Sequence, residues 1–479
     1  MVEQPLTISI NGQTADLTAV SPITTLLHYL HQSGRTGTKE GCGDGDCGAC
    51  TVAVLCSTAD GTAQYQAMNS CLIPIGSVAN REIITVEGLA DEHLHPVQAA
   101  MVQTGGSQCG YCTPGFIMSL FAAYYGGKVD DTAVEGNLCR CTGYLPIRKA
   151  AALVTQKIAE TKPCDRFTEK LAAADPALEP LQYLGHPEQF YRPAQLSEVL
   201  DLLHQHPNAK LIAGGTDLGL EISHQRQTFP VLISLEGVTD LKQIHRSETA
   251  VEIGAAVPLS QIQTELRGVF PSLDEMLFWF AACQVRNRAT LGGNIGTASP
   301  IGDLPPVLLS LDAVLNLVGS QGTRRLPLVD FFKGYRQTDL QPGELIRSIT
   351  VPTTLTPDAV RRDNQSYKIG KRGTDDISIV AAAFTVDLDN ADRILHGRLA
   401  YGGVAAIPAR AIAAEAFLLG KPWTIETVRQ VKPLLQQAFT PLTDLRGSAH
   451  YRSKLVVNLF EKFFVDMSEG GDRNGHRHP

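Results

Sequence analysis

No stretch of this 479-residue chain approaches the roughly 20 consecutive apolar residues that a membrane-spanning helix needs. Positive charge is in deficit. Against 49 Asp and Glu stand 41 Lys and Arg, a net charge of −8, so neither nucleic acid nor an anionic membrane is the expected partner. The opening residues MVEQPLTISING hold no basic segment followed by an apolar one. No export signal is read there, and the cytoplasm is the expected compartment. The dinucleotide fingerprint G-x-G-x-x-G is missing from the glycine-rich segment KLIAGGTDLG, which removes the Rossmann signature there. What remains is 43% hydrophobic and 19% charged, enough core for about three soluble domains.

Cysteine is plentiful by comparison: there are eleven, and eight fall into two compact sets. Cys42, Cys47, Cys50 and Cys71 follow C-x4-C-x2-C with a distant fourth member, the spacing of a plant-type [2Fe–2S] site. Gly41, Gly43, Gly45 and Gly48 are interleaved with them. A loop that wraps an inorganic cluster needs backbone at positive φ and N–H groups near sulfur. Zinc is the competing reading, but zinc sites pair C-x2-C with another C-x2-C or with histidines. Cys109, Cys112, Cys139 and Cys141 join a C-x2-C to a C-x-C, each pair just ahead of a predicted helix. Helix N-termini suit thiolates, and C-x-C is awkward for tetrahedral zinc without excluding it. Two such sites close together read as a wire for single electrons. Cys56, Cys164 and Cys283 lie outside both patterns and read as packing residues. A disulfide framework is not expected in a chain this long with no export signal.

The pattern along the chain predicts an α+β multidomain protein. Residues 1–90 read as a small unit with strands TISI and TADLTAV about the Asn11-Gly12 turn, a helix ending at Gly34, and the strand TVAVL. Residues 91–162 read as helical, through VQAAMVQTGG, PGFIMSLFAAYY and LPIRKAAALVTQKIAE. Residues 163–185 read as linker. Residues 186–356 alternate strand-like and helix-like segments. Residues 357–467 place strands (SYKIGKR, ISIVAAAFTVDL, ILHGRLAYGGV) before helices (ARAIAAEAFLLG, YRSKLVVNLFEKFF), and 468–479 read as a disordered tail. Two segments about eighty residues apart, KLIAGGTDLG and RNRATLGGNIGTASPIGD, carry the glycines of a divided phosphate cradle. An ordinary strand–helix turn would also use a GGT.

EGCGDGDCGAC, followed by QCGYCTPG and NLCRCTGY, resembles the iron–sulfur half of the molybdenum hydroxylases, the xanthine dehydrogenase and aldehyde oxidase family. The resemblance implies two [2Fe–2S] clusters, one in a ferredoxin-like β-grasp domain and one in a four-helix domain. It places Gln108 against the pterin of a molybdenum cofactor held by another chain. The glycine segments resemble the family's FAD domain, a fold of the vanillyl-alcohol-oxidase type distinct from Rossmann, with its own C-terminal α+β domain. Carried over, Lys210, Leu211, Ile212, Ala213, Gly214, Gly215, Thr216, Asp217 and Leu218 wrap the FAD diphosphate. Thr290, Leu291, Gly292, Gly293 and Asn294, with Thr297, form the second cradle. Phe280 and Ala281 lie at the isoalloxazine, and Asp303, Ile346 and Lys368 are further contacts. Asp375 and Asp376 match an acidic pair near the flavin, or a strand-opening turn. DLRGSAHYRSKL resembles a third flavoprotein segment, whose arginines read equally as surface.

No molybdenum-binding half follows residue 466. The resemblance therefore implies a split enzyme with this chain as the iron–sulfur/FAD subunit and no catalytic residue of its own. A large molybdopterin-binding chain would complete a heterotetramer of two small and two large chains. Electrons from hypoxanthine or xanthine would run to FAD and then NAD⁺. A subunit of an aldehyde, nicotinate or carbon monoxide hydroxylase, or a stand-alone electron carrier, is the alternative.

Overall fold

The computed structural model describes residues 6–58, 60–160, 163–174, 178–224 and 226–468. The predicted tail lies outside the described residues from 469 onward. The chain divides into two compact units. One comprises residues 1–240, 258–261 and 281–290; the other comprises 241–257, 262–280 and 291–479.

The first unit opens with a five-stranded mixed sheet in the order Gln13–Asp16, Thr7–Ile10, Glu82–Ile84, Thr51–Ser57, Ala63–Asn69. Asn11 and Gly12 have φ of 56° and 82°, and Ile10 pairs with Gln13, which is a two-residue hairpin of the primed type. Helix Leu26–Gln32 is capped by Thr25, whose hydroxyl accepts from the His28 N–H at 3.2 Å. It buries Leu26, Leu27, Tyr29 and Leu30. The predicted strand TADLTAV is shorter, ending at Asp16.

Helices Pro96–Gln103, Thr113–Tyr125 and Leu145–Glu160 follow as expected, and a fourth, Arg166–Ala173, lies in the segment read as linker. Its apolar period is too short to stand out, since Phe167 is its only buried residue. Asp165 caps it, accepting from the Phe167 and Thr168 N–H groups at 3.0 Å. Phe167 joins a cluster of rings with Tyr65, Phe121, Tyr125 and His95. Burial there pushes the His95 pKa down to about 4, so the ring stays neutral and serves as the N-cap of Pro96–Gln103. Also in this unit is a four-stranded sheet, Leu181–Tyr183, Gln189–Arg192, Val231–Ser234, Lys210–Ile212, whose last three strands run parallel. The first of these strands likewise lies inside 163–185. Tyr183, Phe190 and Leu232 share a core with Ile8, Val52 and Val54 of the N-terminal sheet.

The second unit holds two antiparallel sheets. One runs Ile244–Arg246, Ala250–Gly254, Leu345–Pro352, Val314–Gly319, Gly322–Pro327; the other runs Arg361–Ile369, Val380–Leu388, Ile394–Gly402, Ala409–Arg410. Val380–Leu388 is buried along its whole length, consistent with its nearly continuous apolar sequence. Helices Ile412–Leu418, Ile425–Gln437 and Ala449–Ser468 contribute to its core. The middle helix escapes the periodicity reading because Pro433 interrupts it. Arg452, for which a surface position is one of two readings, is 1% exposed. Its guanidinium donates to the carbonyls of Ile379 and Gly403 and, at 2.7 Å, to Asp444. Among the described residues no helix is long and apolar enough to cross a membrane.

Candidate iron–sulfur and flavin sites

The first cysteine set folds into two pairs. Cys42 and Cys47 exchange main-chain contacts: the Cys42 N–H donates to the Cys47 sulfur at 3.2 Å and the Cys47 N–H to the Cys42 sulfur at 3.3 Å. Cys50 and Cys71 are buried with their sulfurs 3.3 Å apart. Gly48 has φ 64°, and a Cβ there would sit 2.1 Å from the carbonyl of Gly136, so only glycine fits. A Cβ on Gly41 would strike the Cys47 sulfur at 2.5 Å. The Cys42 thiol stabilises the Cys47 thiolate and lowers its pKa to about 6, while Cys42 itself is pushed up. Cys50 is lowered by the Cys71 thiol, and Cys71 is raised in turn. In each pair the contact favours ionisation of one member, and the thiolate is the form that binds metal.

The second set pairs in the same way. Cys109 and Cys141 are exposed, and each shifts the other's ionisation; the Tyr111 N–H is the larger influence lowering Cys109. Cys112 is pushed up to about 12, first by burial and then by the Cys139 contact. Burial opposes ionisation of Cys139, but the Thr142 hydroxyl at 3.0 Å and N–H at 3.4 Å outweigh it, and its pKa falls.

Among the described residues no three His, Cys, Asp or Glu side chains converge where a single metal ion would sit. Tetrahedral zinc needs four ligands on one point, whereas a [2Fe–2S] cluster takes two thiolates at each of two irons. The pairing of 42 with 47, 50 with 71, 109 with 141 and 112 with 139 fits the latter. Of the cysteines read as packing residues, Cys56 is buried, Cys283 is half-buried and Cys164 is exposed. Cys164 therefore packs nothing; its flanking residues are polar or Pro.

The flavin candidates distribute over both units. In the first, Lys210–Ile212 is a strand and Leu218 opens helix Leu218–Ser223, with Ala213, Gly214, Gly215, Thr216 and Asp217 as the turn between them. A Cβ on Gly214 would lie 1.9 Å from the Arg288 carbonyl, and Arg288 Nε donates to the Gly214 carbonyl at 2.9 Å. Gly214 is thus brought against the segment leading to Thr290, which is buried. Gly215 has φ 77°. Ala281 also carries a positive φ, 44°, a conformation that non-glycine residues rarely adopt. The helix after the glycine turn, Leu218–Ser223, abuts the first cysteine loop. The Ser223 hydroxyl donates to the Gly43 carbonyl, and a Cβ on Gly219 would lie 2.4 Å from the carbonyl of Leu72, next to Cys71.

In the second unit, Leu291–Gly296 coils into a short helix. Gly292 is packed on Ala255, while Gly293 and Gly296 are exposed. The Asn294 Oδ1 is buried with no protein partner, an acceptor left for a ligand. Thr297 donates its hydroxyl to the Gly293 carbonyl at 3.0 Å. Lys368 Nζ bonds Asp303 at 2.9 Å and the Trp279 carbonyl at 3.1 Å, beside half-buried Phe280. Ser378, which the sequence did not single out, donates to the other Asp303 oxygen at 2.5 Å. Ile346 is buried at a bulge opposite Leu317. Asp376 accepts from the N–H groups of Lys371 and Arg372, the turn-forming role. Taken unit by unit, the glycine turn of the first, and the exposed glycines and orphaned Asn294 oxygen of the second, each fit contact with a flavin dinucleotide.

Four protein families match in series. A 2Fe-2S iron–sulfur cluster binding domain covers residues 8–76 and a [2Fe-2S] binding domain covers 85–152. The FAD binding domain in molybdopterin dehydrogenase covers 186–354, and the CO dehydrogenase flavoprotein C-terminal domain covers 365–467. The chain belongs to the molybdenum hydroxylases. It is similar to xanthine dehydrogenase of Oryza sativa subsp. japonica, 34% identical over 93% of this chain and 38% of that protein. Xanthine dehydrogenase/oxidase of Rattus norvegicus is 32% identical over 98% of this chain and 39% of its own length. The chain thus spans about two fifths of these relatives. Among solved structures, carbon monoxide dehydrogenase of Hydrogenophaga pseudoflava aligns at TM-score 0.54 and 29% identity, over 58% of this chain and 96% of that one. Quinoline 2-oxidoreductase of Pseudomonas putida 86 aligns at 0.53 and 28%, with the same coverage. The chain carries the two iron–sulfur domains and the FAD domain of that family. In this setting Gln108 is exposed beside Cys109. Leu138, Tyr111 and Leu145, which are 57%, 51% and 60% exposed, also lie in the second cysteine loops or at a helix start next to them.

Proposed function

We propose that this chain is the small, electron-transferring subunit of a cytoplasmic xanthine dehydrogenase. A large subunit would hold the molybdenum cofactor and the purine, in a heterotetramer of two small and two large chains. The observation that carries the reading is the order of the parts. The second cysteine set ends in the exposed Cys109 and Cys141 with Gln108 at the surface, ready to meet a partner. The loop of the first set, with Cys50 and Cys71 buried, lies against helix Leu218–Ser223, directly after the FAD turn. Electrons would enter at the exposed set, pass the ferredoxin-like set and reach the flavin.

The chain's residues do three things in this scheme. The eight cysteines bind the irons as four pairs. Glycine turns bring backbone N–H groups to the sulfurs, which stabilises negative charge on a cluster. In the first unit Gly214 and Gly215 would contact the dinucleotide; in the second Asn294 would do so, with Lys368 and Asp303 fixed as an ion pair near Phe280. When bound, the flavin supplies the conversion between one-electron and two-electron chemistry, with NAD⁺ as the two-electron acceptor. The solved carbon monoxide dehydrogenase and quinoline 2-oxidoreductase chains support a second reading, in which the partner hydroxylates another small substrate.

The isolated chain is expected to oxidise NADH with an artificial electron acceptor and to leave xanthine untouched. Adding the large subunit should produce xanthine-dependent NADH. Gln108→Ala should slow that reaction more than NADH oxidation, because it lies on the molybdenum side. Xanthine turnover by this chain alone would overturn the split-enzyme reading, and no NADH oxidation by the flavin-loaded chain would remove NAD⁺ as acceptor.

A further inference from the structure

We infer that Asn137 is a positioning residue that sets the separation of the two cysteine loops. This rests on reading the eight cysteines as ligands of two clusters. The Asn137 side chain is 4% exposed and uses its full hydrogen-bonding capacity. Its Nδ2 donates to the Gly48 carbonyl at 3.0 Å and to the Thr51 hydroxyl at 3.4 Å. Its Oδ1 accepts from the Ser119 hydroxyl at 2.7 Å and from Gln284 Nε2 at 3.1 Å. Gln284, 1% exposed, also donates to Ser119 at 3.1 Å, which closes a three-member ring.

The placement of these partners gives the ring its meaning. Gly48 lies between the ligands Cys47 and Cys50. Asn137 stands two residues before Cys139. Ser119 is on the helix that begins just after Cys112, and Gln284 stands four residues beyond Phe280. The next residue after Asn137 makes the main-chain link between the two sets: the Leu138 N–H donates to the Cys47 carbonyl at 2.9 Å. Glycine lines the approach on each side. A Cβ on Gly115 would be 2.2 Å from the Gly48 carbonyl, and one on Gly136 would be 2.2 Å from Gln284 Oε1. The two loops therefore meet backbone to backbone, and the carboxamide holds them there. A buried network of this kind is a high-stakes element, because removing one member leaves the others unsatisfied in a low dielectric.

A residue that served stability alone would lower the melting temperature without moving the clusters relative to each other. The test therefore reads geometry. Asn137→Ala in the full chain should keep its iron and labile sulfide. Hydrogen exchange at the Leu138 amide should quicken at least tenfold, and the magnetic splitting between the two reduced clusters in paramagnetic resonance should change. Asn137→Asp keeps the shape but sets a carboxylate oxygen against the Gly48 carbonyl, and should give the same two shifts. Gln284→Ala removes one partner and should give a smaller change in the same direction; it serves if neither Asn137 variant folds. Wild-type exchange and splitting in folded variants would overturn the proposal. A wild-type chain without iron and sulfide would instead sink the cluster reading, and the Leu138 exchange rates would still report on the ring.

Discussion

Gly293→Val is expected to give a folded chain that keeps its iron and loses its flavin. Gly293 is exposed on the segment Leu291–Gly296, whereas its neighbour Gly292 is packed on Ala255, where a Cβ would lie 2.5 Å from the Ala255 Cβ. Glycine and valine are both modest helix formers, so the substitution changes helix propensity little. What it blocks is the approach of a dinucleotide to a backbone that also presents the orphaned Asn294 oxygen. Acid-extracted flavin should fall at least about tenfold, each tenfold being worth about 1.4 kcal/mol. Iron content should stay at the wild-type value. Full FAD occupancy in this variant would remove Gly293 from the cradle. Loss of both iron and flavin would point to misfolding.

Cys47→Ser should abolish one cluster and spare the other. Cys47 is the more acidic member of its pair, at about 6, and serine offers a hydroxyl that does not ionise in that range. The second set draws its ligands from two other loops, with hydrogen bonds of its own: the Cys139 sulfur meets the Thr142 hydroxyl, and the Cys139 N–H donates to the Tyr144 hydroxyl. The link between the loops runs through the Cys47 carbonyl, which serine retains. Paramagnetic resonance of the reduced variant should show a single [2Fe–2S] signal. Absence of both signals in a soluble, folded variant would contradict independent sites.

Much of this site is legible in the sequence because its requirements are local. A C-x4-C-x2-C loop studded with glycine announces both the ligands and the backbone turns they need, and Gly48 shows why: no Cβ fits against Gly136. The Asn11-Gly12 hairpin and the long helices are legible for the same reason. What escapes depends on distance in the chain. Nothing in the sequence says that Cys109 faces Cys141 while Cys112 faces Cys139, or that Gln284 bonds Asn137 across 147 positions. Arg452 resembles a surface arginine until Ile379, Gly403 and Asp444 are seen around it. Helix Arg166–Ala173 hides because one buried ring, Phe167, carries its packing. Ile425–Gln437 hides because Pro433 breaks its pattern. Only resemblance assigns Asp303 and Lys368 to the flavin; their mutual ion pair is a product of the fold.

The central claim is that eight cysteines arranged as four pairs hold two iron–sulfur clusters beside one flavin. Quantitative metal, labile sulfide and flavin analysis of the purified full chain tests it most directly. The account predicts about four irons and four sulfides, two of each per cluster, together with FAD. Bound zinc with no labile sulfide would contradict it.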